Sequence, residues 1–473
     1  MSTLNDYPGR APSSREKRLD SVSAYLGEAR ALLKEYSGPE VDQRIRTFSQ
    51  SAPDDLFVAL EVLSGLRDTG VIIHGPRGCA ASRLRQSLAD PAGPWLVTNL
   101  TQRETIMGAD SKLRAAVAAL YRRYRPKAIF IVATPPVAIN NDDILSVVGE
   151  LSEELGVVIL PIFTSGFASK SSAQGYDAVF HSFIKYLPRP AAEARGEWIN
   201  LIATTESEPD RREAQRLVAE LGVEALTFPH GAAVEDFSRA ARASLSLPLD
   251  FDAGHYLGEA LQNLHGVPFL QVPRPIGLAG TRNWITALGQ ALDKEAQARE
   301  LHAKEAAAIA HVVEAAPLRG VRVYVSAAPA TALGILDMIS ELGGEVAGLT
   351  VTHLDRLHLD ALASYQERSP ALQLHIGNGQ GFEEINLLKR LQPQRYIGSG
   401  VHLVQAAQLG IPSVFLPRLP ILGYAGIQAF AHETGKALRN QAFLSALAAP
   451  TRLPYQETWT RRSADWHIKQ EVK

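Results

Sequence analysis

Apolar residues along this chain follow two alternating patterns. Short continuous runs alternate with longer stretches in which apolar positions recur every three or four residues. Val71-Ile72-Ile73 ends at His74-Gly75-Pro76, and Ala128–Ala133 (AIFIVA) is an unbroken run. A loop, a helical stretch over Asp142–Leu155 and a further run at Val157–Leu160 follow it. Asn200–Ala203 opens a second series, with a helix over Arg211–Leu221 and a strand near Ala225–Phe228. Val321–Val325 opens a third, with a helix at Thr331–Leu342 and a strand at Glu345–Thr350. The third series continues through Ala371–Ile376, Tyr396–Ile397, a helix at Leu403–Leu409 and Ser413–Leu416. Continuous apolar strands between helices of this length predict parallel sheets covered on both faces, an α/β fold. Ligands in such folds sit beyond the carboxyl ends of the strands, so the loops there carry the interest.

The series break at Pro188–Gly196 and at the Ala- and charge-rich stretch 288–315. The expected organisation is an arm over 1–44, α/β domains over 45–195, 196–315 and 316–450, and a tail over 451–473. The arm reads as helix over 15–37, with Leu19, Val22, Tyr25, Leu26, Ala29, Leu32 and Leu33 at helical spacing and Ser37-Gly38-Pro39 as the stop. The tail from Pro454, with Trp459 and Trp466, is too polar for a domain and is expected to pack on the core or on a neighbour.

Composition narrows the class. Its 473 residues suggest two to four domains, and 46% hydrophobic with 21% charged residues fits an ordinary globular chain. A net charge of −2 gives no electrostatic case for nucleic acid or an anionic membrane. No apolar run approaches the roughly 20 residues of a membrane span. Met1–Arg18 has no apolar core of the secretory kind, so the expected compartment is cytoplasmic. One cysteine, Cys79, excludes an intramolecular disulfide and a multi-cysteine zinc site.

Cys79 lies in Val71-Ile-Ile-His-Gly-Pro-Arg-Gly-Cys79-Ala-Ala-Ser82, just past a strand, in a Gly-Pro turn with a helix expected after it. A helix N-terminus lowers a thiol pKa and favours anions. Gly75 and Gly78 lack side chains, so a bulky ligand could approach the backbone. The bland reading is a small buried residue without chemistry.

HGPRGCAAS resembles the cluster loop of nitrogenase component 1 subunits and their relatives. Those relatives include the cofactor-assembly scaffold, dark-operative protochlorophyllide reductase, chlorophyllide reductase and methylthio-alkane reductase. Ile129–Asp143 (IFIVATPPVAINNDD) is similar to the family's strand and following segment, and Asn200–Thr204 to the strand opening its second domain. Gly266-Val-Pro268, Pro275-Ile-Gly277, Thr281–Leu288, and Tyr396–Pro412 with Pro420–Phe430 continue the likeness in order. It spans about residues 45–440 and implies three Rossmann-like parallel-sheet domains around a central cleft, with 45–195 as the cluster-binding one.

The departures carry more information. The family's β subunits supply three cysteines to an eight-iron cluster, whereas only Cys79 stands here. The first family position, 25 residues upstream, falls on Asp54, and the third on Pro135, which cannot ligate. One thiolate and one carboxylate cannot hold a cluster alone, because each four-iron unit normally takes four ligands. The resemblance therefore implies a shared interface cluster, 4Fe-4S in the first instance and eight-iron as the alternative. Cys79 and Asp54 would be its ligands, with Gly75 and Gly78 in the pocket wall. The competing reading of Asp54 is an N-cap for the apolar helix Leu56–Leu66. The cofactor site of catalytic α subunits needs a cysteine in the second domain and a histidine in the third. There is no second cysteine, and His255, His265, His353 and His402 sit in no matching pattern.

The resemblance thus implies a β-type subunit of a two-component reductase, relaying electrons from an ATP-dependent iron protein to an α-type partner in an α2β2 heterotetramer. No GxxxxGK[ST] is present for ATP hydrolysis, and no GxGxxG for a dinucleotide. Asn140-Asn141-Asp142-Asp143 reads as a helix cap, or as part of the surface that docks the iron protein. Two alternatives stay open: a scaffold subunit for cofactor assembly, and a metal-free sugar-nucleotide enzyme with two Rossmann-like domains, compatible with Gly398–Phe415. The substrate is not legible.

Overall fold

The apolar runs form strands. The chain is described from a computed structural model that covers residues 11–15, 20–50, 52–81, 93–166, 171–185, 195–399, 401–439 and 455–471, with isolated positions at 442, 446 and 448. Ala128–Ala133 is buried along its whole length and lies inside a four-stranded parallel sheet. Its neighbours are Thr69–His74, with Trp95–Val97 beyond, on one side and Val158–Phe163 on the other. A second parallel sheet orders Glu224–Pro229, Trp198–Ala203 and Leu245–Pro248. The third has six strands, in the order Tyr25–Glu28, Gln373–Ile376, Glu345–Val351, Arg322–Ala327, Arg395–Gly398 and Ser413–Phe415. Five of them run parallel, and only Tyr25–Glu28 runs antiparallel, at the edge. Three parallel sheets with helices between them make this an α/β chain. The central helices match their expected spans to within a few residues, as with Ile144–Leu155, Glu208–Glu220 and Pro329–Glu341.

The arm corrects the reading of one continuous helix. Val22 bridges Leu354, Tyr25–Glu28 pairs with Gln373–Ile376, and helix starts only at Ala29, ending at Tyr36. Leu19 lies outside the described residues. The apolar spacing of 22–26 suits either conformation. What decides is the backbone edge of Gln373–Ile376, whose ladder the arm completes. At the other end of the chain, Ile468–Gln470 pairs antiparallel with Arg44–Arg46, and Trp459 packs edge-on to Phe382 at 5.6 Å. The tail therefore packs on its own chain.

Aromatic side chains join the first two sheets. Phe183 lies 5.7 Å from Phe130 and 5.2 Å from Phe237, which in turn meets Phe228 at 5.2 Å. Between loops of the first and third sheets a polar cavity of about 560 Å³ opens, with Asp54, Gly166, Arg44, Arg46, Asn378 and Gln380 on its walls.

Candidate functional site

Strand Thr69–His74 delivers the His-Gly-Pro turn, and a single 3-10 turn, Arg77–Ala80, carries Cys79. The Cys79 N–H donates to the Pro76 carbonyl at 3.0 Å, which fixes the turn. Ala81, the next residue, is helical, and residues 82–92 lie outside the described residues. Cys79 is half-buried, and burial pushes its thiol pKa up. The Thr134 hydroxyl opposes that shift and the charge of Asp54 adds to it. Desolvation thus outweighs the lowering that a helix N-terminus would give the thiol.

Thr134 follows strand Ala128–Ala133, and its Oγ1 donates to the His74 carbonyl at 2.8 Å. Gly75 makes this possible, because a Cβ there would collide with the Thr134 side chain. The Gly75 N–H donates to Thr98 Oγ1 at 2.9 Å. Gly75 thus serves a close protein contact, whereas a Cβ at Gly78 would meet nothing within 4 Å among the described residues. Of the two glycines, Gly78 is the one with open space beside it.

Asp54 caps helix Asp55–Ser64, its Oδ1 accepting from the Phe57 N–H at 3.0 Å. Its Oδ2 faces Gly166: a Cβ on that residue would lie 3.2 Å from this oxygen and 3.7 Å from Pro135 Cβ. Asp55 pins the same loop, accepting from the N–H groups of Ser165 at 3.0 Å and Gly166 at 2.7 Å. Cap geometry and proximity to Cys79 thus coexist in Asp54. The fold also brings Asp54, Cys79 and Pro135, which are far apart in sequence, into one neighbourhood at the ends of parallel strands. Thr134, Asp55 and Gly166 complete it without having been singled out beforehand. Asp55 sits beside a recognised cap, but nothing local in the sequence ties it to a loop 110 residues away.

His74 is buried, which lowers its pKa to about 4. Its Nδ1 lies 3.1 Å from Thr98 Oγ1 and its Nε2 3.5 Å from Asp142 Oδ2. Asp143, next along, caps helix Ile144–Leu155 by accepting from the Ser146 N–H at 3.1 Å. A short helix, Pro135–Asn140, directly follows Thr134, and a second, Gln102–Met107, is joined to it by a bond from Asn140 Nδ2 to the Thr105 carbonyl. They leave Ile139, Ile106 and Met107 70%, 80% and 77% exposed.

As a donor set, one thiol and one carboxylate whose Oδ2 has no hydrogen-bond partner among the described residues fit part of an iron–sulfur cluster's ligands. They cannot supply all four. A profile of the family described as nitrogenase component 1 type oxidoreductase matches residues 55–439, and the chain belongs to that family.

Among its relatives, the nitrogenase iron-molybdenum cofactor biosynthesis protein NifE of Nostoc sp. is 26% identical over 395 residues, covering 78% of this chain and 80% of the relative. The nitrogenase molybdenum-iron protein alpha chain of Methanosarcina barkeri is 25% identical over 319 residues, 62% of this chain and 59% of the relative. The solved structure of nitrogenase Cp1 at pH 6.5 superposes with a TM-score of 0.75 at 19% identity, over 84% of this chain and 95% of that one. Family membership removes support from the sugar-nucleotide alternative. Among the described residues, no helix is long and apolar enough to cross a membrane.

Proposed function

We propose that this chain is the β-type subunit of a nitrogenase-like two-component reductase. In this reading Cys79 and Asp54 hold one face of an iron–sulfur cluster, 4Fe-4S rather than eight-iron, whose other ligands come from an α-type partner in an α2β2 assembly. The observation that carries it is the convergence of Asp54, Cys79 and Pro135 in a chain without a second cysteine. A bound cluster of this type supplies one-electron transfer. The chain's own residues do the rest. Cys79 would bind iron as the thiolate, its proton released to solvent. Asp55 fixes the loop beside the cluster, Thr134 orients the sulfur, and Gly78 leaves room at the turn. Exposed apolar residues grouped on one face mark protein contact surfaces. Ile106, Met107 and Ile139, next to Asn140–Asp143, offer such a surface to an ATP-dependent iron protein. The cytoplasm is the compartment this chemistry implies.

The similarity to NifE, across more than three quarters of this chain, favours a second reading: a scaffold subunit on which a cofactor is assembled. Both readings use the same cluster residues and differ in what the partner does.

The test is anaerobic co-purification with the α-type partner encoded alongside, measuring iron per heterodimer and visible absorbance. The expected result is a brown complex that loses most of its iron on Cys79→Ala. Colourless, iron-free complex, or unchanged iron in Cys79→Ala, removes ligation by this chain. With the complex in hand, turnover of a reducible substrate with iron protein and ATP supports the reductase. Transfer of a preassembled cofactor to an acceptor instead supports the scaffold.

A further inference from the structure

We propose that Asp252, His353 and His358 form a buried site for one divalent metal ion of the zinc class, separate from the Cys79 neighbourhood and independent of the function proposed above. Asp252 follows strand Leu245–Pro248 of the second sheet, while His353 and His358 follow strand Glu345–Val351 of the third. The carboxyl ends of two sheets therefore converge on it. The three side chains are 4%, 1% and 0% exposed.

Their donor atoms all lie within 4.8 Å of one another. Asp252 Oδ2 is 3.0 Å from His353 Nε2 and 3.7 Å from His358 Nε2. A tetrahedral ion with bonds of about 2.0–2.1 Å holds its donors about 3.3 Å apart, so these two separations straddle the required value. The imidazoles meet edge to face, at 85° with centroids 5.6 Å apart, so they do not stack. At 3.7 Å His358 Nε2 is too far from the carboxylate for a hydrogen bond, and this fully buried atom has no hydrogen-bond partner among the described residues.

The far nitrogens of both rings have polar partners. His358 Nδ1 lies 3.0 Å from Asp355 Oδ1 and 3.3 Å from the Asp355 backbone nitrogen, and His353 Nδ1 lies 3.0 Å from Thr352 Oγ1. Such partners fix ring orientation and raise ligand basicity. Arg15 does not take the ligand position. Its Nη1 donates to the other oxygen, Asp252 Oδ1, at 2.7 Å, and its Nη2 donates to the Asp252 carbonyl at 2.9 Å and to Asp177 Oδ1 at 3.2 Å. That same Nη1 is 3.4 Å from His353 Nε2, so the guanidinium lids the site from the arm. Two imidazoles and one carboxylate suit zinc, cobalt or ferrous ions, whereas calcium and magnesium prefer oxygen donors throughout. Three protein donors leave a fourth position for a water.

The experiment uses the full-length chain carrying Cys79→Ala, so that no thiol competes, and Co²⁺ as the probe. One Co²⁺ per chain is expected, with ligand-field absorbance, an X-ray absorption spectrum of nitrogen and oxygen donors, and a higher melting temperature. His353→Gln and His358→Gln abolish the signal, and Asp355→Asn weakens binding by about 10–100-fold. Circular dichroism establishes that each variant is folded. Should the histidine variants fail that check, the parent titration decides. Parent protein that binds no Co²⁺, or folded histidine variants that bind it as the parent does, overturns the proposal.

Discussion

Two polar centres lie at the ends of strands in this molecule, and they differ in how completely one chain builds them. Around Cys79 the chain stops short: the thiol is half-buried, Gly78 faces open space, and Ile106, Met107 and Ile139 stand exposed on neighbouring helices. Around Asp252 the described side chains all come from this one chain. Arg15, itself held by Asp177 of the first sheet's helix Gln174–Ile184, reaches it from the arm, His353 and His358 reach it from the third sheet's loop, and all are buried. The difference shows where a second chain is needed. Unspent donors beside exposed apolar surface belong to a site completed from outside, while a charged cluster sealed in the core belongs to the fold itself.

The comparison breaks first on stability. Removing one member of a buried ionic network leaves the others uncompensated, at a cost of about 3–5 kcal/mol. Asp252→Ala strands Arg15, which is 3% exposed, between Asp177 and an empty position. Cys79→Ala trims a half-buried side chain and should change the stability of the isolated chain by less than about 1 kcal/mol. Urea unfolding of both variants measures this directly. Similar losses from the two would erase the distinction between structural and assembly-dependent centres.

The pH dependence sharpens it. Glu383 is a second sealed cluster, accepting from Arg46 Nε at 2.8 Å and lying 2.5 Å from His375 Nε2 and 2.7 Å from His467 Nε2. Burial alone would raise its pKa, but the bonds from His375 and Arg46 outweigh that and bring it to about 2, below the ordinary 4.5. A carboxylate depressed on folding contributes stability that is present above its unfolded pKa and lost as pH falls through the folded one. For Glu383 that window runs from about 4.5 to about 2 and is worth on the order of 3 kcal/mol. Near the thiol the sign reverses. Burial raises Asp55 above 3.8, with the backbone N–H groups of Ser165 and Gly166 pulling the other way. Its contribution is full at low pH and declines as pH rises through the folded value. Glu383→Gln should therefore flatten the acid limb of the stability curve between about pH 4.5 and 2. An unchanged acid limb would mean that other carboxylates set it.

What the sequence reveals divides along the same line. Ala128–Ala133 announces a buried strand because six consecutive apolar residues have no other use between helices. The HGPRGC turn announces a site because its glycines, its cysteine and the preceding strand are adjacent in the chain. The interior cluster gives no such sign. Asp252 and His353 are 101 residues apart, and Arg15 is 237 residues from Asp252. Each alone reads as an ordinary loop residue, and only the packing of three sheets brings them together. The arm is ambiguous for a related reason. Val22, Tyr25 and Leu26 fit helix and strand periods alike, and the free edge of Gln373–Ile376 chose between them. Local chemistry is legible from neighbours, whereas long-range satisfaction has to be folded to be seen.

The smallest expected effect separates the two duties of Asp54. As a cap it accepts from the Phe57 N–H, and alanine in its place should cost about 1 kcal/mol. Asparagine caps about as well, so Asp54→Asn should leave the stability of the isolated chain nearly unchanged. It removes the charge, however, and that charge is among the factors holding the Cys79 thiol up, after burial. The thiol pKa of Asp54→Asn should thus fall below that of the parent, read by thiolate absorbance at the chain's single cysteine. In the complex with the α-type partner, the same variant should lose iron while remaining folded if the carboxylate touches the cluster. Asparagine that keeps both stability and iron would leave Asp54 as a helix cap and Cys79 as this chain's sole contribution.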